Sequence, residues 1–151
     1  HLESLFEAAN LILHYETKRV FAWERATSFD AISPLVQRMF ANADSITYQD
    51  YVDAQSALQR ARESHTRFMA NHDLDALFTP SAPGEAPLLR TTGDSVFNRV
   101  WTSLGVPAIH LPVLNGPNGL PVGVQLVGQL WSDKRLLAAA SFAENSLTGR
   151  N

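Results

Sequence analysis

The sequence predicts an α/β fold, with helices in its first half and short strands in its second. Three observations carry this. Apolar residues recur at steps of three and four through residues 1–74, the periodicity of a helix with one buried face. The period changes at Asp75. All eight glycines lie at position 84 or later, and seven of the eight prolines at position 80 or later, so turn-forming residues are confined to the second half.

The first stripe runs through Leu2, Leu5, Phe6, Ala9, Leu13, Val20 and Trp23, with a gap near Glu16. It starts at His1 without an N-cap residue or an initiator methionine, which leads us to expect a chain that begins inside a larger protein. Ser33-Pro34 opens a second helix, the serine accepting from a free amide and proline costing nothing at the first helical position. Its expected buried side is Leu35, Val36, Met39 and Phe40. A third helix starts near 44–47, where Thr47 and Asp50 have the spacing of a capping box. Its stripe is Tyr51, Ala54, Leu58, Ala61, His65, Phe68 and His72.

From Asp75 to Thr79 a short apolar run ends at Pro80, as in a buried strand. Residues 80–93, rich in proline and glycine, form a loop. Asp94 is placed to cap a short helix burying Phe97, Val100, Trp101 and Leu104, with Gly105 as its stop. Pro107 and Pro112 bracket a strand, residues 114–121 turn, and 122–127 give a second strand, the pair forming a hairpin. Ser132 or Asp133 begins a last helix, with Leu136, Leu137, Ala140 and Ala143 inward. Gly123 and Gly128 allow close approach of a neighbouring layer, and buried Gln125 needs a hydrogen-bond partner.

Composition excludes several functions. The chain of 151 residues is 45% hydrophobic and 18% charged, with a net charge of −3 and no cysteine. Disulfides, thiolate metal sites and thiol nucleophiles are therefore ruled out. The absence of a basic block argues against nucleic acid as partner, and no apolar run approaches the roughly 20 residues of a membrane span. The missing cysteines fit a reducing, cytoplasmic setting.

Catalytic constellations are sparse. Ser81, Ser95 or Ser103 could in principle join His110 and Asp94 in a nucleophile–base–orienter set, but none lies in a nucleophile-elbow context. The alternative for His110 is a hydrogen-bonded histidine on a strand face. His65 and His72 are two helical turns apart, about 10 Å, too far for one metal ion. Asp73 and Asp75 flank Leu74 and are either an acid–base pair or a turn residue beside a solvated one. Phosphate-binding glycine loops are absent. No metal or cofactor is expected.

The second half carries a connected pattern: Asp75-Ala-Leu-Phe-Thr-Pro80, Pro83-Gly-Glu-Ala-Pro87, Thr92-Gly-Asp94, Phe97-Asn98, Trp101-Thr102, Gly105-Val-Pro-Ala-Ile109, Leu111-Pro112 and Gly119-Leu-Pro-Val-Gly-Val-Gln-Leu-Val-Gly128, then Asp133, Leu136-Leu137, Ala140 and Glu144. In order and spacing this resembles the C-terminal portion of the amidase signature family, continuously from about 75 to 144. Over 1–74 the resemblance is weaker: Tyr15-Glu16 and Tyr48 through Arg62 sit where such enzymes carry connecting helices. It implies helices packed on a mixed β-sheet, with a helical segment 1–74 and a strand- and turn-rich segment 75–148. Both would belong to one larger domain whose N-terminal part is missing from this chain.

The resemblance also implies hydrolysis of a carboxylic amide through an acyl-serine. The family's Lys–Ser–Ser apparatus has no counterpart here: there is no glycine-serine run, and Lys18 and Lys134 both read as solvated. No residue of the chain inherits a catalytic role, and the chain alone is expected to be inactive. In similar enzymes the segment around 94–104 borders the substrate pocket. Asn98, Trp101, Phe97 and Asp94 are thus pocket candidates, Asn98 to hydrogen-bond an amide and the aromatics as an apolar wall. The other assignment makes Asp94 a cap, the aromatics core and Asn98 a local bond. The expected partners are a small-molecule amide, the rest of the same protein, and a second copy through uncovered apolar faces. Two other readings share the fold: the A-type subunit of a glutamine-dependent tRNA amidotransferase, and a non-catalytic binding domain.

Overall fold

Local signals set the helix boundaries. In this computed structural model, which describes residues 2–148, the helices are α1 (Leu2–Val20), α2 (Ala22–Thr27), α3 (Pro34–Ala43) and α4 (Tyr48–Asn71), with a 3-10 turn at Phe29–Ala31. Strand β1 (Leu77–Pro80), helix α5 (Arg99–Leu104), strands β2 (Ala108–Asn115) and β3 (Pro121–Val127) and helix α6 (Asp133–Thr148) follow. His1 and the side chain of Leu2, where the first stripe was expected to begin, lie outside the described residues. The chain is helical up to Asn71 and places its strands thereafter; it divides into two compact units between Arg60 and Ala61, inside α4.

In the first unit Ser33 Oγ accepts from Val36 N with Pro34 at the first helical position. Thr47 and Asp50 form the reciprocal box: Thr47 N donates to Asp50 Oδ2 at 2.8 Å, and Asp50 N to Thr47 Oγ1 at 3.1 Å. Those bonds hold the Asp50 carboxyl below its ordinary range, chiefly through the Thr47 hydroxyl. Buried Ala8, Ala54 and Leu58 make the core, flanked by Leu5, Leu11 and Ile12.

The first stripe is therefore only partly right. Leu13, Val20 and Trp23 are exposed. Eight residues of helix from Leu5 to Leu13 leave about 80° of rotation, enough to leave a narrow buried face. Val20 and Trp23 fall either side of a break at Phe21, where α1 stops and α2 restarts. On α3 Leu35 is exposed and Ala43 takes the buried place; on α4 Phe68 and His72 are exposed and Met69 is fully buried. Lys18 is not simply solvated, because its Nζ pairs with Asp44 at 2.6 Å, joined by Arg25.

The second unit is built on a three-stranded antiparallel sheet in the order β1-β3-β2. The hairpin expected between the last two strands is present. Pro112 does not stop β2: the strand continues to Asn115 with a register shift between Pro112 and Leu114, because a bulge accommodates a residue lacking an N–H. Strand β1 alternates half-buried and exposed residues instead of being buried throughout, leaving Phe78 exposed, since it is an edge strand. Leu111, Leu126, Leu136 and Ala140 pack α6 on one face of the sheet, while Leu137 is exposed.

Both Asp73 and Gly105 end helices in left-handed conformation, at φ 49° and 66°. At each the next residue's N–H reaches back to the last turn, Leu74 N to Met69 O and Val106 N to Trp101 O. Asp73 is the turn residue, and Asp75 pairs with Arg135.

Candidate functional site

Period two in the strands sends alternate residues to opposite faces. Leu111, Val124 and Leu126 meet α6, so their neighbours His110 and Gln125, paired across β2 and β3, lie on the other face. Against that face sits α5, and between them opens a cleft of about 590 Å³ lined by Ser81, Ala82, Asn98, Trp101, Thr102, Val106, Ala108, His110 and Gln125.

Hydrogen bonds hold Gln125, Asn98, Ser81 and His110 around the cleft, the first three through backbone carbonyls. Gln125, 3% exposed, donates from Nε2 to Pro80 O at 2.9 Å and Phe97 O at 2.8 Å. It thus ties the end of β1 to the turn that precedes α5. Asn98 Nδ2 donates to Ser81 O at 3.0 Å. Ser81 Oγ donates to Gly123 O at 2.8 Å and lies 2.8 Å from His110 Nδ1. A hydroxyl has one proton, and a carbonyl can only accept, so His110 Nδ1–H is the donor to Ser81.

That assignment decides the chemistry of the Ser–His pair. The sequence brought Ser81 and His110 under consideration with Asp94 as nucleophile, base and orienter, and the fold does place the first two in contact. The proton sits the wrong way for general-base activation, however: the serine donates to a backbone carbonyl and receives from the histidine. Asp94 takes no part, its Oδ1 accepting from Val96 N at 2.9 Å. His110 is the hydrogen-bonded strand histidine of the alternative reading.

Glycine at 123 is required by this packing. A Cβ there would stand 2.2 Å from Leu111 O and 2.4 Å from His110 Cε1, separations no side chain tolerates. Trp101 is half-buried, its ring 5.9 Å from that of buried His65, whose Nε2–H donates to Gly128 O at 3.0 Å. Arg62 Nε donates to Leu104 O at 2.6 Å and steadies the end of α5. His72 is exposed, and among the described residues no group of three or more His, Cys, Asp or Glu is arranged to hold a metal ion. Nor is any described helix long and apolar enough to cross a membrane.

Of the four candidates from the 94–104 segment, Asn98 and Trp101 line the cleft. Phe97 contributes its carbonyl to Gln125, with its half-buried ring outside the lining, and Asp94 shapes an Asx turn. The helix begins at Arg99, so Asp94 is too far upstream to cap it. Sequence reasoning missed Thr102, Val106 and Ala108 as lining residues, and it missed Glu85. That carboxylate accepts from Asn118 N, Asn118 Nδ2 and Leu120 N at 2.6–3.1 Å, fastening the 81–93 loop to the hairpin tip. Partial desolvation alone would raise its pKa, but the bonds from Asn118 and Leu120 together hold it below the ordinary carboxylate range.

Comparison with known proteins gives the geometry a context. Residues 3–137 match the family model described as Amidase. Fatty acid amide hydrolase of Arabidopsis thaliana is 30% identical over 118 residues, covering 70% of this chain and 19% of that protein. The A-type subunit of the mitochondrial glutamyl-tRNA(Gln) amidotransferase of Homo sapiens is 32% identical over 87 residues, 51% of this chain and 16% of that protein. A crystal structure of an amidase superposes with a TM-score of 0.86 at 27% identity, covering 97% of this chain and 36% of the other. The chain thus spans about a fifth or less of the length of the hydrolase and the amidotransferase protein.

Proposed function

Since the chain belongs to the amidase family, we propose that it supplies the C-terminal part of an enzyme that hydrolyses a carboxylic amide to an acid and ammonia or an amine. The observation that carries the reading is the cleft, in which Asn98 and Trp101 of the family-like segment stand opposite His110 and Gln125. Trp101, Val106 and Ala108 give the lining its apolar part, and Gln125, Asn98 and His110 give it amide and imidazole groups fixed by hydrogen bonds. Ligand pockets combine an apolar wall with a few fixed polar groups in this way.

In this reading the chain shapes and orients and does not attack. A serine oxygen from the rest of the protein adds to the amide carbonyl, the C–N bond breaks, and the amine leaves with a proton. Water then releases the acid from the acyl-serine. The chain's own pair, Ser81 and His110, has its proton committed to Gly123 O. The test compares the 151-residue chain with a longer product encoded with its upstream sequence. Ammonia from simple amides by the longer product and none above buffer by the chain is expected; release by the chain alone overturns the assignment.

The 32% identical match to an amidotransferase component favours a second reading, in which the protein passes ammonia onward within a complex. The broader coverage of the hydrolase match ranks it second. Hydrolysis of glutamine in preference to other amides, dependent on added partner subunits, would decide for it. A cytoplasmic location belongs to the same proposal and rests on the absence of cysteine; recovery of the tagged protein in an organelle fraction would overturn it.

A further inference from the structure

Two Asn-Gly steps lie at the tip of the β2–β3 hairpin, Asn115-Gly116 and Asn118-Gly119. In such a step glycine has no side chain to keep its backbone nitrogen from the neighbouring carboxamide, which makes the asparagine labile. The two surroundings differ. Asn115 ends β2 opposite Pro121, and Gly116 N donates to Leu120 O at 2.9 Å. Asn118 is exposed at a central position of a β-turn that Gly119 N closes on Gly116 O at 3.0 Å, with Gly119 left-handed at φ 79°. Glu85 holds both the side chain and the backbone of Asn118. Nδ2 donates to Oε2 at 2.6 Å and N to Oε1 at 2.9 Å, and Leu120 N donates to the same Oε1 at 3.1 Å. Glycine at 116 makes room for this clamp, since a Cβ there would stand 2.4 Å from Glu85 Cγ.

We propose that Asn118 is a site of spontaneous deamidation gated by Glu85, and that its conversion unfastens the 81–93 loop from the hairpin tip irreversibly. The reaction needs only water. Gly119 N gives up its proton to solvent and attacks Asn118 Cγ; the N–Cγ bond forms, the Cγ–Nδ2 bond breaks and ammonia leaves. Water then opens the succinimide, at Cγ to give aspartate or at the backbone carbonyl carbon to give isoaspartate. Ring closure brings Gly119 N onto Cγ, so the turn bond to Gly116 O and the bond from Nδ2 to Glu85 must both break first. The clamp therefore restrains the reaction while the loop is fastened. After conversion it cannot re-form. A carboxylate at 118 has no N–H for Oε2 and sets a like charge against Glu85, and isoaspartate adds a carbon to the backbone between the two amides that Oε1 binds. Ser81 at the start of the loop and Asn98 beyond its end both line the cleft, so release at the tip loosens the cleft's edge.

The chain and its Glu85→Ala variant are aged side by side at mildly alkaline pH, and conversion at each asparagine is read by mass spectrometry of the peptide that carries both. Asn118 is expected to convert at least about tenfold faster in Glu85→Ala, the factor that follows from losing a hydrogen bond to a charged group, while Asn115 changes far less. Glu85→Gln keeps the size of the side chain and removes its charge, and Asn118 is expected to convert faster in it than in wild type. Asn118 rates equal to wild type in both variants, or the same acceleration at both asparagines, overturn the gate. The consequence is read on Asn118→Asp by tryptic cleavage after exposed Arg90 in the 81–93 loop. Cleavage is expected to be several-fold faster than in wild type, and cleavage at the wild-type rate overturns the release of the loop.

Discussion

Replacing Gln125 with leucine keeps the side chain's size and removes its two N–H donors. The carbonyls of Pro80 and Phe97, held at 2.9 and 2.8 Å, lose their partner together. Each bond contributes about 1 kcal/mol net, and a desolvated acceptor left unpaired costs about 1–3 kcal/mol. Pro80 is exposed and Phe97 half-buried, so water re-solvates part of this and the lower end applies. Leucine gains roughly 1 kcal/mol of apolar burial in return. The expected loss is about 1–2 kcal/mol, a fall in urea midpoint of roughly 0.5–1 M at an m-value near 2 kcal/mol/M. Gln125→Glu separates donation from packing. An ionised carboxylate cannot donate, so this variant is expected to be weaker than leucine at pH 7. Its folded-state pKa is raised by burial beside two carbonyls, so its relative stability is highest at low pH and is lost as pH rises through that pKa. A leucine variant with a midpoint shift under about 0.3 M, at unchanged m-value, would refute the claim that Gln125 joins β1 to α5.

Gly123→Ala is expected to cost at least about 3 kcal/mol in urea unfolding, and to move the His110 ring resonances, because backbone oxygen cannot yield to the new Cβ as a flexible side chain could. A smaller cost with unmoved His110 signals would remove the close-approach argument. Glu85, with its pKa lowered by folding, adds stability that is present above the ordinary carboxylate range and is lost as pH falls through its folded value. Acid titration of wild type against Glu85→Gln should therefore show the two stabilities converging at low pH; a constant gap would count against the clamp. Exposed Trp23, Trp131, Leu137 and Phe142 lead us to expect a dimer or larger species, and a concentration-independent monomer mass by light scattering would contradict this.

Much of the fold was legible because its signals are local. Ser33-Pro34, the Thr47–Asp50 box and Gly105 each act over three to five residues, and all three do in the structure what their spacing implies. Side-chain burial was less legible. A periodic stripe identifies a helix without saying how wide its buried face is, so Leu13, Leu35, Phe68 and Leu137 were assigned inward and lie outward. The break at Phe21 has no proline or glycine to announce it. The cleft was legible only in part. Asn98 and Trp101 were found through the pattern around them. Ser81, His110 and Gln125 were individually visible, but their contact depends on β1 and β2 both pairing with β3, and no spacing encodes that. Glu85 lies 33 residues from Asn118, and its role is equally non-local.

The central position of β3 also orders the assembly of the chain in time. Its pairing with β2 is a hairpin, a contact that forms within microseconds because the intervening loop is short. Its pairing with β1 must close a much longer loop; Ser81 reaches Gly123 across 42 residues. The cleft needs both, since Pro80 and Ser81 at the end of β1 position Gln125, Asn98 and His110. A chain with a formed hairpin and an undocked β1 would have much of its sheet and no cleft. Completion of the cleft then reports the arrival of the strand with the longer loop to close.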